Sequence, residues 1–342
     1  MAGDPGAKAS PRTALLLAAK VLLSVALIVF LLRTRLNWTE VRDALAHAKP
    51  SGLIAAVLLL FASNLLGAWQ WNRLLATVGI RLPFWKVCSY YHVGLFFNNF
   101  LPANVGGDLA RVLDASRGGT ATRATAFSTV LMDRMIGTVA LGGLAVLTTL
   151  PAIRELALPK AYLGTLYGGV LGFFALSVVM LWAVFHPGLL AVLEGLLARV
   201  GLARLRPALD DLSARLAAFR GRRGLFMELF TIATFVQVMR VGVHVLVARA
   251  LGLHVGLGYF FLFVPLLAVI VSLPISLNGI GVRETAGIVL FGLVGVAKSM
   301  AFTLQFTTYL VAVAVSLIGG VVFLVRIPHR RAGARVVRRP ES

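Results

Sequence analysis

The sequence predicts an all-α polytopic membrane protein with about eight transmembrane helices and one re-entrant helical hairpin. Hydrophobic residues make up 59% of the 342 residues, charged residues only 13%, and the mean hydropathy is +0.89. Apolar stretches long enough to cross a bilayer, about 20 residues each, recur along the chain. Two segments, Leu101–Arg111 and Leu273–Glu284, interrupt this pattern in the same order with a proline, an asparagine, glycines and a charged couple. Such matched interruptions are compatible with an inverted repeat that contains two broken helices.

The predicted crossings follow the apolar stretches. They cover 13–32, 53–71, 125–150, 162–185, 225–248, 258–275, 279–297 and 300–325. The stretch 85–111 is shorter and interrupted, so we predict that it enters and leaves the membrane on one side, enclosed by protein or a water-filled cavity. The predicted division of the chain is therefore an N-terminal segment 1–12, a transmembrane domain 13–326 and a basic tail 327–342.

Basic residues outnumber acidic ones, and the formal net charge is +20. Most Lys and Arg lie between or beyond the apolar stretches, where membrane insertion places them on the cytoplasmic side. The segment 186–224 and the tail are the most basic, so we expect both in the cytoplasm. An even number of crossings then places the N-terminus there too. The segment 33–51 departs from this scheme, because it is also basic yet falls outside. This placement of the charges argues against nucleic acid as a partner.

Few residues suit metal or cofactor chemistry. Cys88 is the only cysteine, which excludes an intrachain disulfide and a thiolate metal cluster. The six histidines lack the spacing of metal ligands, and no phosphate-binding loop of the ATPase type occurs. We therefore expect neither a metal nor a cofactor.

The segment 186–224 contains an amphipathic helical pattern from Leu202 to Phe219, with leucines at alternating steps of three and four. Pro207, Asp210 and Asp211 are typical of a helix N-terminus. Two interpretations remain open: a connector packed against the bundle, or an interfacial helix that recruits lipid or a soluble enzyme.

The two interruptions supply the candidate headgroup-binding residues. The first offers Asn98, Asn99, Gly106, Gly107, Asp108 and Arg111, and the second offers Asn278, Gly279, Gly281, Arg283 and Glu284. A helix that starts after glycines presents unpaired backbone N–H groups to an anion such as a lipid phosphate. Asp108 and Arg111 are one turn apart, which suits a local ion pair. The alternative is a purely structural role for each capped turn.

Other polar residues lie inside the apolar stretches, where a charge costs about 2.5–3.5 kcal/mol. Asp133 and Arg134 are adjacent, so they point about 100° apart and each needs its own partner. Gln237, Arg240 and His244 fall on one stripe of a helix. Both sets suit either a pathway lining or architectural pairing.

Taken in order, five motifs resemble the lysylphosphatidylglycerol synthase transmembrane family, also called flippase-like membrane proteins. The motifs are Trp71-Asn72-Arg73-Leu74-Leu75, Phe97-Asn98-Asn99-Phe100-Leu101-Pro102, Gly106-Gly107-Asp108 with Arg111, Asp133-Arg134, and Leu273-Pro274 leading to Asn278-Gly279-Ile280-Gly281-Val282-Arg283-Glu284. The resemblance covers about 13–326. It implies a multi-pass inner-membrane protein of a bacterium or archaeon, with the bacterial inner membrane as the expected location, related to the flippase half of aminoacyl-phospholipid synthases. The chain ends at Ser342 after a basic tail, so we expect no aminoacyl-transferase activity.

These observations lead to the hypothesis of lipid translocation. The two broken segments are expected to meet at mid-bilayer and form one polar cleft, where Arg111 and Arg283 receive an anionic headgroup. Asp108 and Glu284 would orient these arginines. The expected partner is an anionic phospholipid, an aminoacyl lipid or a polyprenyl-linked glycolipid, with a lipid-modifying enzyme as a further partner at the cytoplasmic face. Two rival hypotheses are a membrane-embedded transferase that uses Asp108 or Glu284 as a base, and a scaffold for a lipid glycosyltransferase.

Overall fold

A computed structural model describes residues 37–100, 106–117, 122–155, 160–186, 214–219, 221–272 and 279–336. This part of the chain forms ten α-helices: α1 Trp38–Ala46, α2 Pro50–Thr77, α3 Phe84–Phe100, α4 Gly106–Ala115, α5 Arg123–Glu155, α6 Lys160–Phe185, α7 Arg223–Ala250, α8 Leu257–Ser272, α9 Val282–Gly292 and α10 Lys298–Val336. By length and composition, α2, α5, α7 and α10 can cross a membrane, and α6 and α8 hold shorter apolar segments. The prediction of an all-α polytopic membrane protein is confirmed.

Several predictions lie outside the described residues. They concern the N-terminal segment 1–12, the crossing 13–32, Asn278, residues 187–213 of the basic connecting segment and residues 337–342 of the tail. The first part of the tail continues α10, which runs to Val336.

The helices α2 and α7 run antiparallel and define the two ends of the bundle. At one end, the Lys49 N–H donates to the Ala250 carbonyl at 2.8 Å. At the other, Arg73 binds Glu228 at 2.8 Å. We call these the Lys49 end and the Arg73 end. Trp71 donates to Thr129 of α5 at 3.0 Å, so α5 begins near the Arg73 end.

The helices α3 and α4 form the predicted re-entrant hairpin. The connection before α3 and the last turn of α4 lie in one apolar cluster, represented by Ile80 and Ala115. The hairpin therefore enters and leaves at the Arg73 end.

The helices α8 and α9 form a second re-entrant hairpin from the opposite end. The connections 253–256 and 293–297 line a single cavity, so the chain enters α8 and leaves α9 at the Lys49 end. Here the predicted crossing 279–297 was wrong, because α9 has 11 residues and is only about 16 Å long, against a hydrocarbon thickness of about 30 Å. The end of the predicted crossing 258–275 lies outside the described residues. Gly295, at φ 81°, turns the chain within an apolar sequence that hydropathy does not interrupt.

The packing has the pattern of an inverted repeat. In the first half, α2 is followed by the hairpin α3–α4 and by α5; in the second, α7 is followed by the hairpin α8–α9 and by α10. The helices α2 and α7 pack on each other, α3 packs on α10, and α8 packs on α5. Each hairpin thus packs against the long helix of the other half.

The basic connecting segment contacts the bundle where the structure describes it. Leu216 and Phe219 are buried in the apolar cluster at the Arg73 end. Arg215 donates to Thr122 and Thr125, at the start of α5. For this part of the segment, the structure favours a connector packed against the bundle.

We predict that Gly319→Ala destabilises the fold. A Cβ at this position would collide with the His92 carbonyl, where α10 crosses α3. Overpacking of this kind costs about 1–3 kcal/mol, so the melting temperature in detergent should fall. Gly137→Ala is the control, because no described atom lies within 4 Å of a Cβ there. Equal melting temperatures for the two variants would show that α3 and α10 do not approach this closely.

Candidate functional site

The helices α3 and α4 of the first hairpin approach closely at two glycines. A Cβ at Gly107 would collide with the Gly94 carbonyl, so α4 can start against α3 only with glycine there. The Gly107 N–H donates to the Asn98 side-chain oxygen at 2.9 Å. A freed backbone donor inside the bundle is thereby satisfied. Asn99 follows on the same helix, half-buried, and Gly106 opens α4.

Arg111 is buried inside the bundle and contacts side chains of three other helices. Its Nη2 donates to Asp133 Oδ2 of α5 at 2.8 Å, and its side chain is only 5% exposed. The guanidinium lies 4.2 Å from the Trp71 ring centroid and 4.7 Å from that of Tyr91. Gln70 Nε2 donates to the other oxygen of Asp133 at 2.9 Å. Arg111 therefore joins α4 to α2, α3 and α5.

A second ion pair stands beside the first and is more open. Arg134 donates to both oxygens of Asp108, at 3.1 and 2.9 Å. The Arg134 side chain is 53% exposed and that of Asp108 is 21% exposed. Arg111 Nη1 lies 3.9 Å from Asp108, so the predicted local pair exists but is the weaker contact. Asp133 and Arg134 point to different partners, as the angle between adjacent helical residues requires.

Arg134 lies deep within a helix long enough to cross the membrane. From Arg123 to Arg134 the rise along α5 is about 16 Å, roughly half of the hydrocarbon thickness. An ion pair at this depth is costly unless it meets protein, water or a polar ligand. The Asp108–Arg134 pair thus places accessible charge midway through the bundle.

The second interruption is built differently. Gly279 and Gly281 adopt φ values of 74° and 81°, which favour glycine. The Glu284 carboxylate accepts from the Gly281 N–H at 2.7 Å and is buried. Glu284 thereby caps its own helix, and its expected role in orienting Arg283 stays a prediction. Arg283 lies with its guanidinium 4.9 Å from the Tyr309 ring centroid on α10.

The polar stripe on α7 links the two halves. Gln237 Nε2 donates to the Gly137 carbonyl of α5 at 3.2 Å. About two turns further towards the Lys49 end, His244 Nδ1 lies 3.0 Å from the Arg240 carbonyl oxygen. His244 also lies within electrostatic range of Arg283. Arg240 is half-buried between these two positions.

The two arginines of the hypothesis lie at different depths. On α10, Gly319 abuts His92, next to Tyr91 of the first site, whereas Tyr309 lies under Arg283. The rise between these positions corresponds to about 15 Å. The expected single cleft is therefore replaced by two sites stacked along the bundle axis, since the hairpins enter from opposite ends.

Both half-helix N-termini already contact the protein's own acceptors. Asn98 accepts from the N-terminus of α4, which also holds Asp108 in its first turn, and Glu284 accepts at that of α9. At each terminus, one backbone donor is therefore already satisfied by a side chain of the protein.

Sequence reasoning missed the residues that frame Arg111. Gln70, Trp71 and Tyr91 lie in predicted apolar or re-entrant stretches, and their convergence depends on packing between three helices. Gln70 carried a signal, because a polar amide within an apolar stretch needs a partner. Asp114 and Arg326, which pair at 3.1 Å near the Arg73 end, were also missed.

Long apolar helices, two re-entrant hairpins and buried ion pairs define a polytopic membrane protein with polar sites inside the bundle. The chain belongs to the family of the lysylphosphatidylglycerol synthase TM region, which matches residues 17–320. It is similar to a UPF0104 membrane protein of Pyrococcus horikoshii, 25% identical over 302 residues, or 80% of this chain and 86% of the relative. A UPF0104 membrane protein of Methanothermobacter thermautotrophicus is 24% identical over 277 residues, 77% of this chain and 81% of the relative.

We predict that Arg111 and Asp133 are strongly coupled. Arg111→Gln leaves the buried Asp133 carboxylate without its cation, which should cost about 3–5 kcal/mol. Adding Asp133→Asn removes the uncompensated charge and should recover most of the loss. The check is a double-mutant cycle on unfolding in detergent. If the two single effects simply add in the double variant, the pair does not hold the site together.

Proposed function

We propose that this protein moves a lipid with an anionic headgroup between the two leaflets. The observation that carries the proposal is the Asp108–Arg134 ion pair, because its arginine is half exposed at mid-helix depth. A polar ligand passing this point explains why a costly charge is kept on the accessible face of a bundle. Family membership gives a second line of support, since the chain belongs to the family of the lysylphosphatidylglycerol synthase TM region.

The path we propose uses the two stacked sites in sequence. A headgroup phosphate contacts Arg134 first and Arg283 about 15 Å further along the axis, while the lipid tails stay in the bilayer. Gln237, Arg240 and His244 lie between these levels on α7 and supply polar side chains for the interval. Arg111, buried by Asp133 and two aromatic rings, acts as the anchor of the first site rather than as a ligand.

The chemistry shared by the candidate lipids is a phosphate. Anionic phospholipids, aminoacyl lipids and polyprenyl-linked glycolipids all carry one, and a planar guanidinium binds it through paired hydrogen bonds. An aminoacyl lipid carries an additional amine, for which Asp108 is the available acid.

The orientation we propose places the Arg73 end in the cytoplasm. Arg73, Arg117, Arg123, Arg215, Arg222 and Arg223 lie at or near this end. The excess of positive charge is the signature of the inner side of a membrane. The C-terminal part of α10 then faces the cytoplasm of a bacterial cell.

The carboxylates of the site argue against the transferase hypothesis. A general base needs a carboxylate that is free to take a proton from a substrate. Asp108 and Asp133 are held by arginines, and Glu284 is buried in its helix cap. Translocation needs none of them to react.

We predict that Arg134→Gln slows translocation at least tenfold. Loss of a charged hydrogen bond to phosphate weakens binding by about that factor. The measurement is dithionite quenching of fluorescent phosphatidylglycerol in liposomes that contain the purified full chain. Arg73→Gln is the matched control, because Arg73 forms an equally short and half-exposed ion pair with Glu228 at the end of the bundle.

The same assay tests the second level. Arg283→Gln should slow translocation while Arg249→Gln, an exposed arginine at the Lys49 end, should not. A wild-type protein without activity on any of the three phosphate-bearing lipid classes would overturn the proposal. Equal rates for Arg134→Gln and Arg73→Gln would remove Asp108–Arg134 from the path.

A further inference from the structure

A groove runs along the outer face of the first hairpin. Its volume is about 230 Å³, and it is bounded by α3, α4 and α10. Its lining consists of Val93, Phe97, Gly106, Leu109, Ala110, Leu113, Asp114, Arg117 and Phe323. From Gly106 to Arg117 the groove follows α4 for about 16 Å, from the re-entrant turn to the Arg73 end.

The body of this groove is apolar. Phe97 and Phe323 contact each other edge to face, with centroids 5.0 Å apart, and bridge α3 and α10. On α4, the Leu109 side chain is 53% exposed. The exposed side chains and this lining match a hydrocarbon chain rather than a polar ligand.

The end of the groove is basic. Arg117 and Arg326 both bind the buried Asp114, at 2.9 and 3.1 Å, so two cations converge on one carboxylate. Half of the Arg117 side chain is exposed, and the Arg326 guanidinium lies 4.6 Å from the Tyr90 ring centroid. The local charge favours an anion, and the exposed guanidinium is placed to bind it.

We propose that this groove binds a glycerophospholipid with an anionic headgroup, with its phosphate at Arg117 and Arg326 and an acyl chain along Leu109 and Phe323. The groove is basic at the helix ends and apolar towards the bilayer centre. A phospholipid in one leaflet has the same arrangement, with its phosphate at the membrane surface and its acyl chains towards the bilayer centre. As an entry site, the groove rests on the proposed translocation, because its inner end at Gly106 lies at the start of α4, two residues from Asp108. As a binding site, it stands without it.

The test is native mass spectrometry of the purified full chain titrated with phosphatidylglycerol or phosphatidylcholine. Arg117→Gln should raise the half-saturating concentration of phosphatidylglycerol about tenfold and leave that of phosphatidylcholine nearly unchanged. The variant keeps Asp114 paired, because Arg326 remains. Ala110→Phe, which fills the groove, should weaken binding of both lipids. Arg123→Gln, an exposed arginine at the same end, is the control.

Three results would overturn the proposal that this groove binds a phospholipid. Unchanged phosphatidylglycerol binding in both Arg117→Gln and Ala110→Phe would do so, and so would an equal loss in Arg123→Gln. A change in the monomer–dimer distribution of Ala110→Phe, with lipid binding intact, would instead assign the groove to a second copy of the chain. Translocation is measured separately: a wild type that binds lipid here but does not translocate it leaves the groove standing and removes the proposed function.

Discussion

The buried pair between Arg111 and Asp133 is the contact on which the first half of the bundle depends. It joins α4 to α5, and Gln70 extends it to α2. Inside a membrane the helix α4 is too short to find its own place by spanning, since its ten residues cover about 15 Å. A charged residue that must be neutralised at depth provides the missing constraint, because only one position of α4 brings Arg111 to Asp133 and between the rings of Trp71 and Tyr91.

The two halves share a topology but differ in how they hold their broken helices. In the first, charged side chains from different helices neutralise one another around Arg111. In the second, the Glu284 carboxylate satisfies the backbone of its own turn, and Arg283 rests against the ring of Tyr309. The first hairpin is therefore tied to its neighbours by ion pairs, and the second has a local cap and an arginine packed on an aromatic ring. Within the proposed pathway, this difference makes the first site the more accessible source of charge.

How much was predictable depended on whether the signal was local. The crossings by α2, α5, α7 and α10 follow from the apolar stretches, and their positions were predicted correctly to within a few residues of the apolar segments. The second hairpin was misread because the turn at Gly295 is made of apolar residues, so hydropathy continues through it. The need of Asp133 and Arg134 for separate partners followed from helix geometry. Their identities did not, since Arg111 and Asp108 come from another helix.

The depth of the two arginines was the largest misjudgement, and it has the same cause. Matching motifs suggested that both turns meet, but motifs carry no information on the end from which each hairpin enters. Opposite entry follows from the antiparallel course of α2 and α7, because α3 follows α2 through the connection 78–83 and α8 follows α7 through the connection 251–256. These place α3 and α8 at opposite ends of the antiparallel pair α2 and α7.

In the proposed pathway, a phosphate that binds Arg134 has to displace Asp108, and the site provides for that exchange. Arg111 Nη1 lies 3.9 Å from Asp108, so the carboxylate keeps a cation nearby when it releases Arg134. The cost of leaving Asp108 unpaired at mid-bilayer, about 2.5–3.5 kcal/mol, is thereby lowered while the phosphate holds Arg134. Without a ligand, the two acids and two arginines are neutral as a whole; a bound phosphate adds a negative charge that no third cation of the network balances, which weakens the contact enough for it to break. Arg111 thus has two roles in the proposed pathway. With Asp133 it holds the Asp108–Arg134 pair at mid-depth, and it stays close to the Asp108 carboxylate when that carboxylate releases Arg134.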